Sequence, residues 1–268
     1  MQPVINNKGK RMKELVGKHA NEQRTHDRIY LFESRRDNPK EIHKVLVELA
    51  RPAVEACGER CRILDIGCAR GDFLHLVKHS FPGVSLTGID VMPDLLKVAR
   101  KELPDVKFIL ADINGGIGLP SEKFDLVFMN SVHAIFDDHR PWVDNILGLL
   151  GAHGKAYVFG IFNPEPLDVF IKCRGAGRED QPLEKGWNLF SKDTIGRYLK
   201  KRKIEYHFQD WEITIPIERH PDDPLRSWTF KDADGRYIVQ NGLQLIHTQA
   251  VLTMEHPCRR RSKLKRLV

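Results

Sequence analysis

No uninterrupted apolar run in the 268 residues approaches the roughly 18–20 that a membrane helix needs, so a helical membrane protein is not expected. The opening MQPVINNKGKRMKELVGK is basic but has no apolar stretch behind it, and no secretory leader is expected. Cysteine is scarce: Cys57, Cys61, Cys68, Cys173 and Cys258 are an odd number without a CxxC pair. Cys57 and Cys61 have no matching downstream Cys/His pair that would complete a zinc site. Free thiols in a reducing cytoplasm, and no metal, are the expectation. The nucleotide-triphosphate loop GxxxxGK[ST] is also missing. So is the dinucleotide fingerprint GxGxxG, because Ala69 and Asp72 stand where its second and third glycines belong. An acid at position 72 would face a pyrophosphate where an anion wants only donors.

Charge is present but segregated. The formal net charge is +7, yet residues 259–266 hold six cations and no acid, and residues 1–30 have a net charge of +4. The stretch 31–258 is therefore at −3. Basic ends on a near-neutral body read as solvated termini, since a nucleic-acid enzyme carries its cations across a binding face. A nucleic-acid partner is not expected.

From residue 40 to 162 the pattern alternates helix and strand. Ile42, Val45, Leu46 and Leu49 share one helical face, and Pro52 is expected to interrupt that helix or shift its axis. Strands are expected at 62–67, 84–90, 106–110, 124–129 and 155–162, with helices at 73–79, 93–100 and 141–150 between them. That rhythm predicts an α/β fold: a doubly wound, mostly parallel seven-stranded sheet with helices on both faces. Two β-prone stretches, 205–217 and 237–254, predict an antiparallel strand pair at its C-terminal end, and Ser191 is expected to cap a helix reaching residue 202. The chain thus divides into an N-terminal cap or arm (1–39), a main domain (40–257) with insertions near 164–190 and 218–236, and a basic tail (258–268). Trp228–Phe230 and Tyr237–Val239, on either side of Asp234-Gly235, read as a hairpin arm able to roof a site or pack on a second copy of the chain.

In such a sheet, ligands bind beyond the carboxyl ends of the strands. The first strand ends in Asp65-Ile-Gly67-Cys68-Ala69-Arg-Gly71, whose glycines allow a sharp turn and close approach of a ligand. The second ends in Asp90, placed to accept two hydrogen bonds from a ribose diol. The third ends in Asp112-Ile113, which can offer a carboxylate to an adenine amino group. The fourth ends in Asn130-Ser-Val-His133. LDIGCARGDF, GIDVMPD, ADI and FDLVFMNSVHAIFDD together resemble the class I S-adenosylmethionine-dependent methyltransferases over about residues 40–162.

That resemblance implies a cofactor, S-adenosyl-L-methionine, and roles for particular residues. Asp65 and the Gly67–Gly71 loop with Cys68 and Ala69 would hold its methionine part. Asp90 would hold the ribose, Val91 and Met92 would lie against adenine, Asp112 and Ile113 would contact the base, and Asn130 would sit under the sulfonium. The family often has a third glycine where Cys68 and Ala69 stand. For the acceptor, His133 is the candidate general base, since an unperturbed imidazole titrates near pH 6.5. Arg174 and Arg178, in a glycine-interrupted loop, could grip an acidic acceptor as a lid, with Trp187 and Tyr30 lining the pocket. His220 is assigned to a turn.

The expected activity is methyl transfer, foremost O-methylation, to a small polar or acidic metabolite. The C-terminal half is loosely similar to bacterial enzymes that tailor natural products or surface-glycan precursors. Two alternatives are an RNA methyltransferase anchored by the basic ends and a non-catalytic scaffold that keeps the fold. Asn130-Ser-Val-His133, where base-amine methyltransferases have Asn/Asp-Pro-Pro-Tyr/Phe, argues against the first alternative. The intact acids and glycines argue against the second.

Overall fold

The computed structural model describes residues 9, 10, 12, 14, 15 and 24–257. The basic tail 258–268 and much of the arm 1–39 lie outside the described residues. Among the described residues, no helix is long and apolar enough to cross a membrane.

Five parallel strands form the body of the sheet: β1 (Arg62–Ile66), β2 (Ser85–Asp90), β3 (Lys107–Leu110), β4 (Phe124–Asn130) and β5 (Leu150–Asn163). Between and before them run α1 (Glu41–Cys57), α2 (Asp72–Ser80), α3 (Pro93–Glu102) and α4 (His139–Leu149). The short strands β6 (Lys172–Cys173), β7 (Glu184–Lys185) and β8 (Phe190–Ser191) follow, then α5 (Lys192–Lys201), β9 (Glu205–Trp211), β10 (Trp228–Lys231), β11 (Tyr237–Gln240), β12 (Ile246–His247) and β13 (Gln249–Glu255). The main sheet has the order β3-β2-β1-β4-β5-β13-β9, with β8 beside β5. Chain order reverses between β1 and β4, and that reversal opens a crevice at the carboxyl ends of the strands.

Alternation of side chains along the strands divides the core between two faces. Ile63 and Phe128 pack under α1, α2 and α3 with Leu46, Leu74 and Leu96, while Leu64, Ile66, Val127 and Met129 pack under α4 and α5 with Trp142, Ile146 and Leu199. The sheet is buried on both sides, so its central strands read as continuous apolar runs.

Three local expectations need correction. α1 is not interrupted at Pro52. That residue is exposed, so water can take the carbonyl that its missing N–H leaves unpaired. The strand expected at 205–217 stops at Trp211, because its partner there, Gln249, is the first residue of β13 and nothing continues the ladder. The stretch 237–254 breaks into three strands, of which only β13 joins the main sheet, running antiparallel to both neighbours. β10, β11 and β12 form a separate three-stranded sheet, with the hairpin turning at Asp234-Gly235.

Candidate functional site

The turn after β1 is built from backbone conformations that side chains disfavour. Gly67 and Gly71 have φ of +70° and +86°, and Ala69, the position where a glycine is more usual, sits at +48°. Left-handed backbone at a non-glycine costs about 1 kcal/mol. The surroundings hold it there: the Asp90 carboxylate accepts Ala69 N–H through Oδ2 at 2.8 Å and Met92 N–H through Oδ1 at 2.8 Å. Cys68 fits in place of a glycine because Gly88 on β2 lies beneath it, where a Cβ would come within 2.7 Å of its Sγ. Burial pushes the Cys68 thiol up, so it packs as an inert hydrophobe.

Asp65, at 2% exposure, has a carboxylate oxygen, Oδ1, with no hydrogen-bond partner among the described residues. Burial, and next the Asp90 charge, hold its carboxyl well above the usual range. A buried acid without a cation is costly, and an ammonium or sulfonium placed beside it would remove that cost. Asp90 is pushed up to about 6 by burial, against the pull of its two N–H donors. Asp112 is buried at the end of β3 and its Oδ1 accepts Asn114 N–H at 2.8 Å. Asn130, at the end of β4, has neither side-chain Nδ2 nor Oδ1 partnered among the described residues. Ser131 then turns out of the sheet at φ +59°, its N–H donated to Phe159 O.

These groups open on one cavity of about 1280 Å³. It exceeds the ~300–1,000 Å³ of a single small-ligand pocket, leaving room for a cofactor with a second reactant. Asp65, Gly67, Cys68, Ala69, Asp90, Val91, Met92, Asp112, Ile113 and Asn130 all line it, as do Tyr30 and Trp187. Gly71 lies behind the loop, where a Cβ would meet Leu103 Cδ1 at 3.0 Å.

The roof comes from three distant segments: the 3₁₀ turn Thr25–Leu31, residues 185–187, and 211–228. The Arg24 guanidinium stacks over the Trp187 ring at 4.7 Å and pairs with Asp27 at 2.5 Å. His26 Nδ1 meets Asp223 at 3.0 Å and Arg226 Nη2 meets Glu33 at 2.6 Å, tying the N-terminal segment to the 218–228 insertion. Burial draws His26 below its ordinary pKa despite Asp223. Trp187 itself is held at φ +56° by Asn188, which donates to Phe136 O at 2.9 Å and accepts Ile171 N–H at 2.8 Å.

Two expectations for acceptor-side residues are corrected. His133 is not at the mouth of the cavity. It is fully buried, stacked on Phe162 with ring centroids 4.4 Å apart, and its Nε2 faces Ile161 O at 3.0 Å. The single 3₁₀ turn His133–Ile135 rotates the side chain into the core, and burial lowers its pKa to about 4. A base must reach its proton, and this imidazole reaches only its own core. Arg174 and Arg178 do not line the cavity either. Arg174 donates to Glu179 O at 3.0 Å and Gln181 O at 3.2 Å, closing its own exposed loop.

Other residues arrive that local pattern did not mark. His43, from the first turn of α1, is 8% exposed, lies edge-on to Phe73 and lines the cavity with an Nδ1 that has no partner among the described residues. His220, assigned to a turn, also faces the cavity, as do Trp211 and Gln249 at the outer strands. No short-range signal could have found them, because the contacts that place them join separate elements, as His43 with Phe73 and Trp211 with Gln249.

The pH behaviour of the buried histidines can be predicted with its sign. Burial lowers His133 and His247 to about 4 and His43 to about 3, the last helped by the nearby Lys40 and Arg35 charges. The unfolded chain therefore takes these protons first, and stability present above pH 6.5 is lost as pH falls from 6.5 towards 4. Thermal melts across that range should show the loss, and His133→Gln, which keeps an amide able to bond Ile161 O, should remove the share that His133 contributes and leave that of His247 and His43. The pH profile of any turnover should stay as in the wild type; a lost limb would restore His133 as a base.

Comparison with known proteins agrees with this geometry. Residues 63–154 match the family described as "Methyltransferase domain". Trans-aconitate 2-methyltransferase of Escherichia coli O7:K1 is 32% identical over 122 residues, 44% of this chain and 48% of that protein. The Escherichia fergusonii protein of the same name is 34% identical over 112 residues, 40% of this chain and 44% of that one. The matched region thus spans about half the length of these curated relatives. In fold, the chain is similar to the YcgJ protein of Bacillus subtilis, with TM-score 0.54 and 15% identity over 80% of this chain and 97% of that one. It is also similar to coclaurine N-methyltransferase, solved with N-methylheliamine and SAH, with TM-score 0.52 and 11% identity over 79% of this chain and 70% of that one.

Proposed function

We propose that this chain, whose residues 63–154 match a methyltransferase domain, transfers a methyl group from S-adenosylmethionine to a carboxylate oxygen of a small acidic metabolite. The observation that carries the reading is a pair of cations on the cavity wall, Lys40 and Arg219, left for an acceptor. The cavity floor is acidic, with Asp65, Asp90 and Asp112; on its roof and rim Arg24, Lys185 and Arg226 are each paired with an acid, Asp27, Asp137 and Glu33. Among the described residues, Lys40 and Arg219 have no carboxylate partner; Lys40 stands over the Tyr30 ring and Arg219 over the Trp228 ring. An acidic acceptor can pair with these two cations. The trans-aconitate 2-methyltransferases, whose printed name carries an acidic acceptor, match this chain over 122 and 112 residues.

In this reading the cofactor brings an activated methyl on a sulfonium. The fit is supported by the unpartnered Asp65 Oδ1, which can take the ammonium of an amino-acid moiety, and by Asp90, whose oxygens keep lone pairs for a ribose diol. Val91, Met92 and Ile113 would flank the base, and Asn130 would lie below the reacting centre. The remaining task of the protein is alignment, which by itself can lower a barrier by about 7–11 kcal/mol. A carboxylate acceptor is already deprotonated, so no base is needed, in keeping with His133 lying in the core. The roof excludes water and orients the acid, Trp187 and Tyr30 forming its apolar walls.

The test is a calorimetric titration with S-adenosylhomocysteine, followed by methyl-transfer assays over di- and tricarboxylic acids, amines and RNA. Micromolar binding with turnover on an acid alone is expected. Turnover confined to amines or RNA would sink the acceptor class. Arg219→Ala should raise KM for the acid by roughly 10–100-fold, as loss of a charged hydrogen bond does. Its kcat and S-adenosylhomocysteine affinity should move little; equal losses in all three would point to a collapsed roof.

A further inference from the structure

Cys57 and Cys61 have no Cys/His pair downstream, but the fold supplies a third ligand from elsewhere. α1 ends at Cys57, the 3₁₀ turn Gly58–Arg60 reverses the chain, and Cys61 immediately precedes β1. Asp125 is the second residue of β4, the strand beside β1. Both sulfurs and a carboxylate oxygen of Asp125 lie within 4.8 Å of one another. Cys61 is fully buried, Cys57 is half-buried, and the Asp125 side chain is 34% exposed, so the cluster opens to water on one side. Asp125 Oδ2 accepts Arg62 N–H at 2.9 Å, which fixes the carboxylate plane, and no hydrogen bond reaches Oδ1 among the described residues.

We propose that Cys57, Cys61 and Asp125 form a binding site for one thiophilic divalent cation of the zinc class, with water as fourth ligand. Zinc bonds of about 2.3 Å to sulfur and 2.0–2.2 Å to oxygen, arranged tetrahedrally, put ligand atoms about 3.5–3.8 Å apart. The observed cluster, with its ligand atoms within 4.8 Å, is about 1 Å wider than that spacing at most. Two thiolates and a carboxylate around a divalent ion leave one negative charge. The Arg62 guanidinium, its Nε 3.5 Å from Asp125 Oδ2, is there to offset it. On loading, two S–H bonds are replaced by two metal–sulfur bonds and two protons leave to the buffer, so affinity rises with pH.

The site lies at the amino ends of β1 and β4, the edge of the sheet opposite the cavity. A metal there would pin the C-terminus of α1 to the sheet. His43 and Lys40 stand at the other end of that 17-residue helix, about 20–25 Å away at 1.5 Å per residue. The inference does not depend on the methyl-transfer reading.

The test uses the full chain, kept reduced, stripped of metal and titrated with Co²⁺ and then with Zn²⁺ in competition. The expected result is one equivalent bound with thiolate-to-cobalt charge-transfer absorbance, displaced by zinc, and a melting temperature raised by several degrees. The His75–His79 pair on α2, half-buried and exposed respectively and with ring centroids 4.2 Å apart, could also take a divalent ion, but imidazole gives no thiolate absorbance. Cys57→Ser should abolish that absorbance. Asp125→Asn, which can still accept the Arg62 N–H, should weaken binding at least about tenfold. Reduced wild type without charge-transfer absorbance at stoichiometric cobalt would overturn the proposal. So would a spectrum unchanged in Cys57→Ser, or binding lost only with His79→Ala.

Discussion

Asp90→Ala should lower affinity for S-adenosylhomocysteine by at least about 100-fold, because the carboxylate would serve both the ligand and the loop that receives it. Its oxygens hold Ala69 N–H and Met92 N–H at 2.8 Å each. Hydrogen bonds to a charged group are worth about 1.5–3 kcal/mol apiece. Alanine removes both and frees Ala69 from its left-handed φ of +48°. It also removes the acceptor for a ribose diol. Calorimetry on the folded variant is the measurement, and Asp90→Asn, of the same shape, separates charge from packing. Binding unchanged in Asp90→Ala would mean that the cofactor lies elsewhere in the cavity.

The same residue predicts two pH effects of opposite sign. Burial, the largest influence, pushes its carboxyl from 3.8 up to about 6, so the ionised form is disfavoured in the folded chain. Donors on a ligand need the ionised form, and affinity should fall as pH drops below about 6. The folded state holds the proton through the window 3.8–6, so the destabilisation from Asp90 is fully present above pH 6 and is relieved as pH falls. Asp90→Asn should remove both dependences.

Gly160→Ala should destabilise the chain by about 3 kcal/mol or more, the upper range of core overpacking. Its Cβ would stand 2.2 Å from His133 Cε1 and 3.0 Å from Nδ1. The imidazole has nowhere to retreat. It lies against Phe162 at 4.4 Å and Trp142 at 5.9 Å between ring centroids, with Nε2 facing Ile161 O. A fall in melting temperature of roughly 6–12 °C is expected for a chain of this size. The double variant Gly160→Ala with His133→Ser should recover part of it, giving a non-zero coupling in a double-mutant cycle. An unchanged melting temperature in Gly160→Ala would show that His133 does not fill this space. Ser131, two residues earlier, donates its N–H to Phe159 O, so the same packing shapes the mouth of the cavity.

These two positions mark the boundary of what could be read in advance. Asp90 was legible because an acid closing a short apolar strand, 25 residues after Asp65, states its own position in a parallel sheet. His133 was misread because it follows a strand end just as a catalytic residue would. Whether its side chain turned outward or inward rested on Gly160, 27 residues away on another strand. Arg174 and Arg178 were misread in a similar way: a cationic loop looks like a lid, but its arginine found carbonyls within the loop. Trp187 and Tyr30 reach the cavity through ties between segments nearly 200 residues apart, Arg226 to Glu33 and His26 to Asp223.

The order of helices and strands, the sheet direction, the turn after β1 and the acids at three strand ends are properties of neighbouring residues. Side-chain alternation, helical spacing and glycine at positive φ act over a few residues, so the chain alone determined them. Which titratable groups face water, ligand or core was decided only by the folded molecule. Burial and charge pairing depend on atoms brought together from remote segments. The roof over the cavity, the inward turn of His133 and the meeting of Cys57, Cys61 and Asp125 are of that second kind.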